Sequence, residues 1–112
     1  MTNEKWLRWA IARHFRNKGY NVEMKHIKVG NAEIDGEVSS ARWKIALEIK
    51  SGHDDVIRGL GQLAEAKAWG YDSAVLVTSL RTARRIDAVV FNKLGFVLLG
   101  IDSRSHVHQV YP

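Results

Sequence analysis

Cysteine is absent from the 112 residues, and the single proline is Pro112. The first absence excludes a disulfide scaffold and any thiolate zinc site. The second goes with a lack of Pro/Gly/Ser-rich linkers, internal repeats and biased segments, so one continuous domain spanning 1–112 is expected. Long apolar runs are missing too: they reach only a few residues, far short of the roughly 20 a membrane helix needs. Glu4, Lys5, Arg8 and Arg13 interrupt the stretch in which a signal peptide would carry about 7–15 apolar residues. An intracellular protein with no membrane partner is therefore expected.

What is present is ordinary for a globular domain: 46% hydrophobic and 26% charged residues, enough for a real core. Lys and Arg outnumber Asp and Glu by 17 to 12, and the net charge of +5 favours a polyanionic partner.

Periodicity divides the chain into alternating elements. Trp6, Leu7, Ala10, Ile11, His14 and Phe15 recur at helical spacing, which predicts a helix over Glu4–Lys18, capped by Thr2 or Asn3 and stopped by Gly19. Three strands follow, over Asn21–Lys28, Ala32–Val38 and Trp43–Lys50, separated by a Gly30-Asn31 turn and a Ser-Ser turn. Asp54 or Asp55 reads as the cap of a second helix carrying Val56, Leu60, Leu63 and Lys67 and ending near Gly70. Its interior glycines, Gly59 and Gly61, each cost about 1 kcal/mol relative to alanine, which implies a close approach to that backbone. Tight packing on a sheet is the simplest cause. A buried strand over Ser73–Thr78, a third helix over Arg81–Leu94, a strand over Gly95–Ile101 and a short edge strand over His106–Val110 complete the pattern. The class is α/β with a mixed sheet, a strand meander followed by helix crossovers.

The chemistry concentrates in Trp43-Lys-Ile-Ala-Leu-Glu-Ile-Lys50. Side chains alternate along a strand, so Ile45, Leu47 and Ile49 face one way and Lys44, Ala46, Glu48 and Lys50 the other. Upstream, Glu33, Asp35 and Glu37 share a face. If the two strands pair as a hairpin, Asp35 and Glu48 converge. Two converging carboxylates suit a hard divalent ion such as Mg²⁺. The ion polarises a phosphoryl oxygen and lowers the pKa of a bound water, while a neighbouring lysine stabilises developing charge. A Glu-x-Lys triplet alone is common, however, and reads first as an ion-paired exposed face beside a solvated hairpin.

The order of these features is what distinguishes the chain. An early Glu4 on the first helix, Gly19-Tyr20, Ile34-Asp35-Gly36, Leu47-Glu48-Ile49-Lys50-Ser51, and then a capped helix and the apolar Ala74–Val77 strand follow one another. In this the chain resembles the PD-(D/E)XK nuclease superfamily, in particular small members such as the archaeal Holliday junction resolvases. The resemblance covers about residues 4–80. It implies a restriction endonuclease-like αβββαβ core, a central mixed β-sheet flanked by helices, with an added C-terminal helix and strand. It further implies that Asp35, Glu48 and the Ile49 carbonyl ligate Mg²⁺, with Mn²⁺ able to substitute. Lys50 would be the catalytic lysine, and Glu4 would complete the site. Ile34 stands where the name-giving proline would be. Gln62 matches the glutamine of a Gln-x-x-x-Tyr motif found in exonuclease-like members, but Ala66 occupies the tyrosine position, which leaves Gln62 as a substrate-contact candidate. Small members of this kind usually dimerise, so a homodimer acting on DNA is implied, branched DNA first and ordinary duplex second.

Other residues admit two readings each. Glu4 in a first helical turn is also favoured by the macrodipole, by about 0.3–1 kcal/mol. Arg81, Arg84 and Arg85 at a helix start oppose that dipole, which suits phosphate contact or a merely solvated face. Lys25, Lys28, Arg42 and Lys44 line a groove or solubilise the hairpin. His53 follows Lys50 closely enough to touch substrate. His106 and His108 share a face, as metal ligands or as edge-strand residues. Trp6, Trp9, Trp43 and Trp69 suit base stacking or a core and an interface, with Trp9 a candidate dimer contact. The leading expectation is a Mg²⁺-dependent endonuclease hydrolysing DNA phosphodiesters. A non-catalytic nucleic-acid-binding module on the same fold is the alternative, and a protein-recruiting domain is the third.

Overall fold

A computed structural model describes residues 4–112, apart from the side chain of Asp54. Expected caps Thr2 and Asn3 lie outside the described residues. Helix α1 (Glu4–Asn17) buries Leu7, Ala10, Ile11 and Phe15, the i, i+3, i+4, i+8 stripe of an amphipathic helix. It stops as expected at Gly19, whose φ of +90° favours glycine.

The expected three-strand meander is built from five strands: β1 (Asn21–Glu23), β2 (Ile27–Val29), β3 (Ala32–Ile34), β4 (Gly36–Ser39) and β5 (Lys44–Ile49). β2 and β3 leave the main sheet as their own hairpin around Gly30, where φ is +59°. The breaks have local causes. Asp35 turns its carboxylate onto the amide of Ile49, at 2.8 Å, and so interrupts the strand between β3 and β4. At Gly36 an added Cβ would sit 3.0 Å from the Glu23 carbonyl oxygen and 3.0 Å from Met24 Sδ, so the chain crosses there at glycine distance. Glu65 anchors the hairpin tip by accepting from the Asn31 amide at 2.7 Å and the Asn31 side chain at 3.0 Å.

After a 3₁₀ turn at His53–Asp55 comes α2 (Val56–Ala68). Asp55 is its N-cap by position, but its side chain makes no capping bond. Then follow β6 (Ser73–Ser79), α3 (Leu80–Ala83), α4 (Ala88–Leu94), β7 (Val97–Ile101) and β8 (Val107–Tyr111). The single helix expected over Arg81–Leu94 is thus two. Ser79 caps the first, accepting from Thr82 N at 3.1 Å, and Asp87 caps the second, accepting from Val89 N at 2.9 Å. Between them Ile86 turns into the core and its carbonyl accepts from the Tyr111 hydroxyl at 2.8 Å. The expected conflict of three arginines with one helix dipole does not arise: Arg84 is the C-cap of α3 and Arg85 follows it. Gly95, with φ +69°, ends α4, so the next strand starts two residues later than expected.

The architecture is mixed α/β. One six-stranded sheet runs β1-β4-β5-β6-β7-β8, with β5, β6 and β7 parallel and the other neighbours antiparallel. α1 packs on one face, over Val38, Ile45, Leu47, Ile49, Val75 and Val77. α2, Ala83 of α3 and Phe91 of α4 pack on the other, over Ala46, Ala74, Leu76 and Leu98. Among the described residues no helix is long and apolar enough to cross a membrane.

Candidate active site

Alternation along β5 sends Glu48 to the α2 face, where it is fully buried. Lys50 follows at the strand's end, its amide donating to Val77 O at 2.9 Å, and its Nζ stands 3.4 Å from Glu48 Oε2. Both side chains are shielded from water, at 1% and 14% exposure for Glu48 and Lys50. Gly59 of α2 makes the room: an added Cβ there would meet Leu76 Cδ1 at 3.0 Å and Lys50 Cε at 3.3 Å. The close approach expected at this glycine is therefore to the lysine stem and Leu76. Gly61 has nothing within 4 Å, so that expectation fails there.

The antiparallel pairing of β4 with β5 brings Asp35 beside this pair. One Asp35 oxygen accepts from the Ile49 amide at 2.8 Å; the other lies 3.4 Å from His26 Nε2, whose Nδ1 lies 2.9 Å from Glu33 Oε1. Burial pushes the Glu48 carboxyl up to about 8, and the neighbouring Asp35 charge adds to the rise. The Lys50 ammonium pulls the other way without cancelling it. Neither oxygen of Glu48 receives a hydrogen bond. A buried carboxylate in that condition costs several kcal/mol unless a cation or proton compensates it.

Hence the donor set fits a hard divalent ion. It offers two carboxylates, one with neither oxygen hydrogen-bonded, and the backbone of Ile49 fixed in place by Asp35. Among the described residues no group of three His, Cys, Asp or Glu side chains is arranged to hold a metal. Glu4 is exposed at the start of α1, the helix on the opposite face of the sheet from Glu48, and it is not gathered with the pair.

Gln62 lies one helical turn beyond Gly59, half-buried, with its Oε1 buried and unpartnered. His53 is exposed on the 3₁₀ turn just after Lys50. Arg81, Arg84 and Arg85 are exposed; the first two line a separate cavity beyond the ends of β6 and β7. Glu37 is taken up structurally, accepting from the buried Tyr71 hydroxyl at 2.6 Å with Lys44 Nζ at 3.7 Å. His106 Nδ1 and His108 Nε2 lie 3.7 and 2.8 Å from Asp102 Oδ2, at the edge of the sheet and away from Glu48. Sequence reasoning missed two neighbours. His26 carries no periodic signal. Thr78, fully buried with its hydroxyl oxygen unpartnered, sits on β6 one residue beyond the last pair with β5, on the face of Glu48. A polar residue inside an apolar run was the available signal.

No family model and no curated protein matches the sequence. A solved structure, the SPO1766 protein of unknown function from Silicibacter pomeroyi, is similar in fold. It has a TM-score of 0.66 and 19% identity over 98% of this chain and 70% of that one.

Proposed function

We propose that the protein is a Mg²⁺-dependent endonuclease that hydrolyses phosphodiester bonds in DNA, with Mn²⁺ able to substitute. The observation that carries the reading is the buried Glu48, which receives no hydrogen bond on either oxygen, flanked by Asp35 and by its ion-pair partner Lys50 at the end of a parallel strand. It agrees with the resemblance to PD-(D/E)XK nucleases and with the excess of basic residues. Asp35, Glu48 and the Ile49 carbonyl would hold the ion. When bound, the ion polarises a phosphoryl oxygen and acidifies a water. Lys50 orients the attacking water and stabilises negative charge on the phosphoryl oxygens. A new P–O bond forms from the water oxygen, the bond to the leaving sugar oxygen breaks, and the water's proton passes to solvent or to that oxygen. α2 excludes bulk water from the Glu48 side. Action inside the cell as a homodimer on branched DNA completes the reading. Trp9, 54% exposed beneath Arg13, is the candidate dimer contact.

The test is cleavage of labelled four-way junction, duplex and single-stranded DNA in Mg²⁺ or EDTA, by the native protein and Lys50→Ala. Metal-dependent cutting lost in the variant is expected. Equal cutting by the variant overturns the reading. A second reading, a non-catalytic nucleic-acid-binding module, is favoured by the absence, among the described residues, of any group of three His, Cys, Asp or Glu side chains arranged to hold a metal ion. It requires tight, steeply salt-dependent DNA binding with neither metal dependence nor cleavage.

A further inference from the structure

A cavity of about 680 Å³ opens beyond the C-terminal ends of β6 and β7. That volume lies within the roughly 300–1,000 Å³ of small-molecule sites. Ser79 and Ile101, paired in register at the ends of their strands, form its floor on the α1 face. It therefore shares the end of the sheet with Lys50 but lies on the opposite face.

Two kinds of wall meet in it. One is apolar and flat. Trp6 reaches in from α1, and its indole Nε1 donates to Ser105 Oγ at 2.8 Å, which holds the ring in place. The other wall is cationic. Arg81 and Arg84 are three apart around one helical turn, so their forks project to the same side. Neither guanidinium has a carboxylate partner among the described residues. Thr82, between them, accepts from Ser79 Oγ at 3.0 Å, which leaves its own hydroxyl proton for a ligand. Asp102 also lines the cavity and carries its negative charge there, but it forms no ion pair with either arginine. Its oxygens are occupied by the amides of Arg104 and His106, both at 2.9 Å, and by His108 Nε2 at 2.8 Å.

Paired guanidinium forks match phosphate oxygens, and a fixed indole matches a nucleobase face. We propose that this cavity binds a nucleoside monophosphate unit, the base against Trp6 and the phosphate between Arg81 and Arg84. The unit is either a free nucleotide or the phosphorylated end of a strand. The site stands apart from the hydrolysis reading, because it uses none of Asp35, Glu48 or Lys50.

The test is titration of the whole protein, in EDTA, with 2′-deoxyadenosine 5′-monophosphate, followed by calorimetry and tryptophan fluorescence. Saturable binding is expected, with a fluorescence change lost in Trp6→Phe. Each guanidinium–phosphate contact is worth roughly ten- to a hundredfold in affinity, so Arg81→Ala/Arg84→Ala should raise Kd by at least about tenfold. Those arginines are exposed, so the variant should keep the native melting temperature. Competition by a 5′-phosphorylated oligonucleotide but not by its 5′-hydroxyl counterpart would assign the site to strand ends. Competition by neither would assign it to free nucleotide, and both outcomes support the proposal. Unchanged affinity in the double variant, or binding no tighter than that of inorganic phosphate, would overturn it, whether or not the protein cuts DNA.

Discussion

The two faces of β5 follow different rules although they belong to one strand. Toward α1, Ile45, Leu47 and Ile49 lock into an apolar layer with Leu7 and Ile11. Toward α2, Ala46 is followed by Glu48 and then Lys50. Among the described residues, every buried side-chain polar atom left without a partner belongs to that second side: both oxygens of Glu48, Oε1 of Gln62 and Oγ1 of Thr78. Each such atom costs about 1–3 kcal/mol in a folded protein. The first face spends its residues on stability, and the second tolerates instability in one patch. A concentration of unsatisfied groups in an otherwise consistent fold is the physical mark of a site.

The comparison can be broken most sharply at Lys50. Lys50→Ala or Glu48→Ala should lower single-turnover DNA cleavage by roughly 10²–10³-fold or more, the scale of losing one charge-stabilising group. Leu47→Ala, on the other face, should instead cost about 2–5 kcal/mol in denaturant unfolding and leave the activity of the folded fraction largely intact. If the two variants fail alike, the division between the faces is wrong.

The pH dependence of stability is the next effect in size. Glu48 has its carboxyl raised from the ordinary 4.5 to about 8 in the folded protein. The folded state then holds a proton that the unfolded state has released. The stability this confers is fully present below about 4.5, declines above it, and is lost as pH rises through about 8. Metal-free melting curves should fall across that window, and Glu48→Gln should flatten them. Unchanged curves in the variant would remove Glu48 as the source.

Two glycines of one helix sharpen the picture further. Gly61→Ala fills open space and should stabilise α2 by about 0.5–1 kcal/mol. Gly59→Ala must displace Leu76 or the Lys50 stem, so it should forfeit that gain and slow cleavage. Equal effects in melting and cleavage would mean that Lys50 has no fixed seat.

The smallest effect lies at the far edge. The hydrogen bond from His108, with the amides of His106 and Arg104, holds the Asp102 carboxyl down at about 2. Its contribution is present above the ordinary 3.8 and lost as pH falls through about 2, so Asp102→Asn should melt slightly earlier near neutrality and converge with the native protein in acid.

Much of this organisation is legible in the residue order. The alternation in Lys44–Ile49 announces both which face is core and that Glu48 and Lys50 share the other. Gly59 in a helical stretch announces a close neighbour. Other features are legible only in hindsight. The alternation of Asn21–Lys28 slips by one residue after Met24, with Ile27 out of phase with Val22 and Met24, and there Met24 to His26 leave the sheet, opposite the break in the partner strand at Asp35. The split at Ile86 depends on Tyr111, 25 residues away in the chain.

By itself the sequence determined the α/β class, the core stripe of each long element, and the order of Asp35, Glu48 and Lys50. Those are local properties, set by side-chain period and by the residue types themselves. Tertiary structure decided that Glu48 is buried with no hydrogen bond to its oxygens, that Thr78 stands on its face, that Glu4 stays away, and that Arg81 and Arg84 meet Trp6 at one cavity. The reason is that desolvation and convergence depend on which distant strands and helices pack together, and local periodicity carries no information about that.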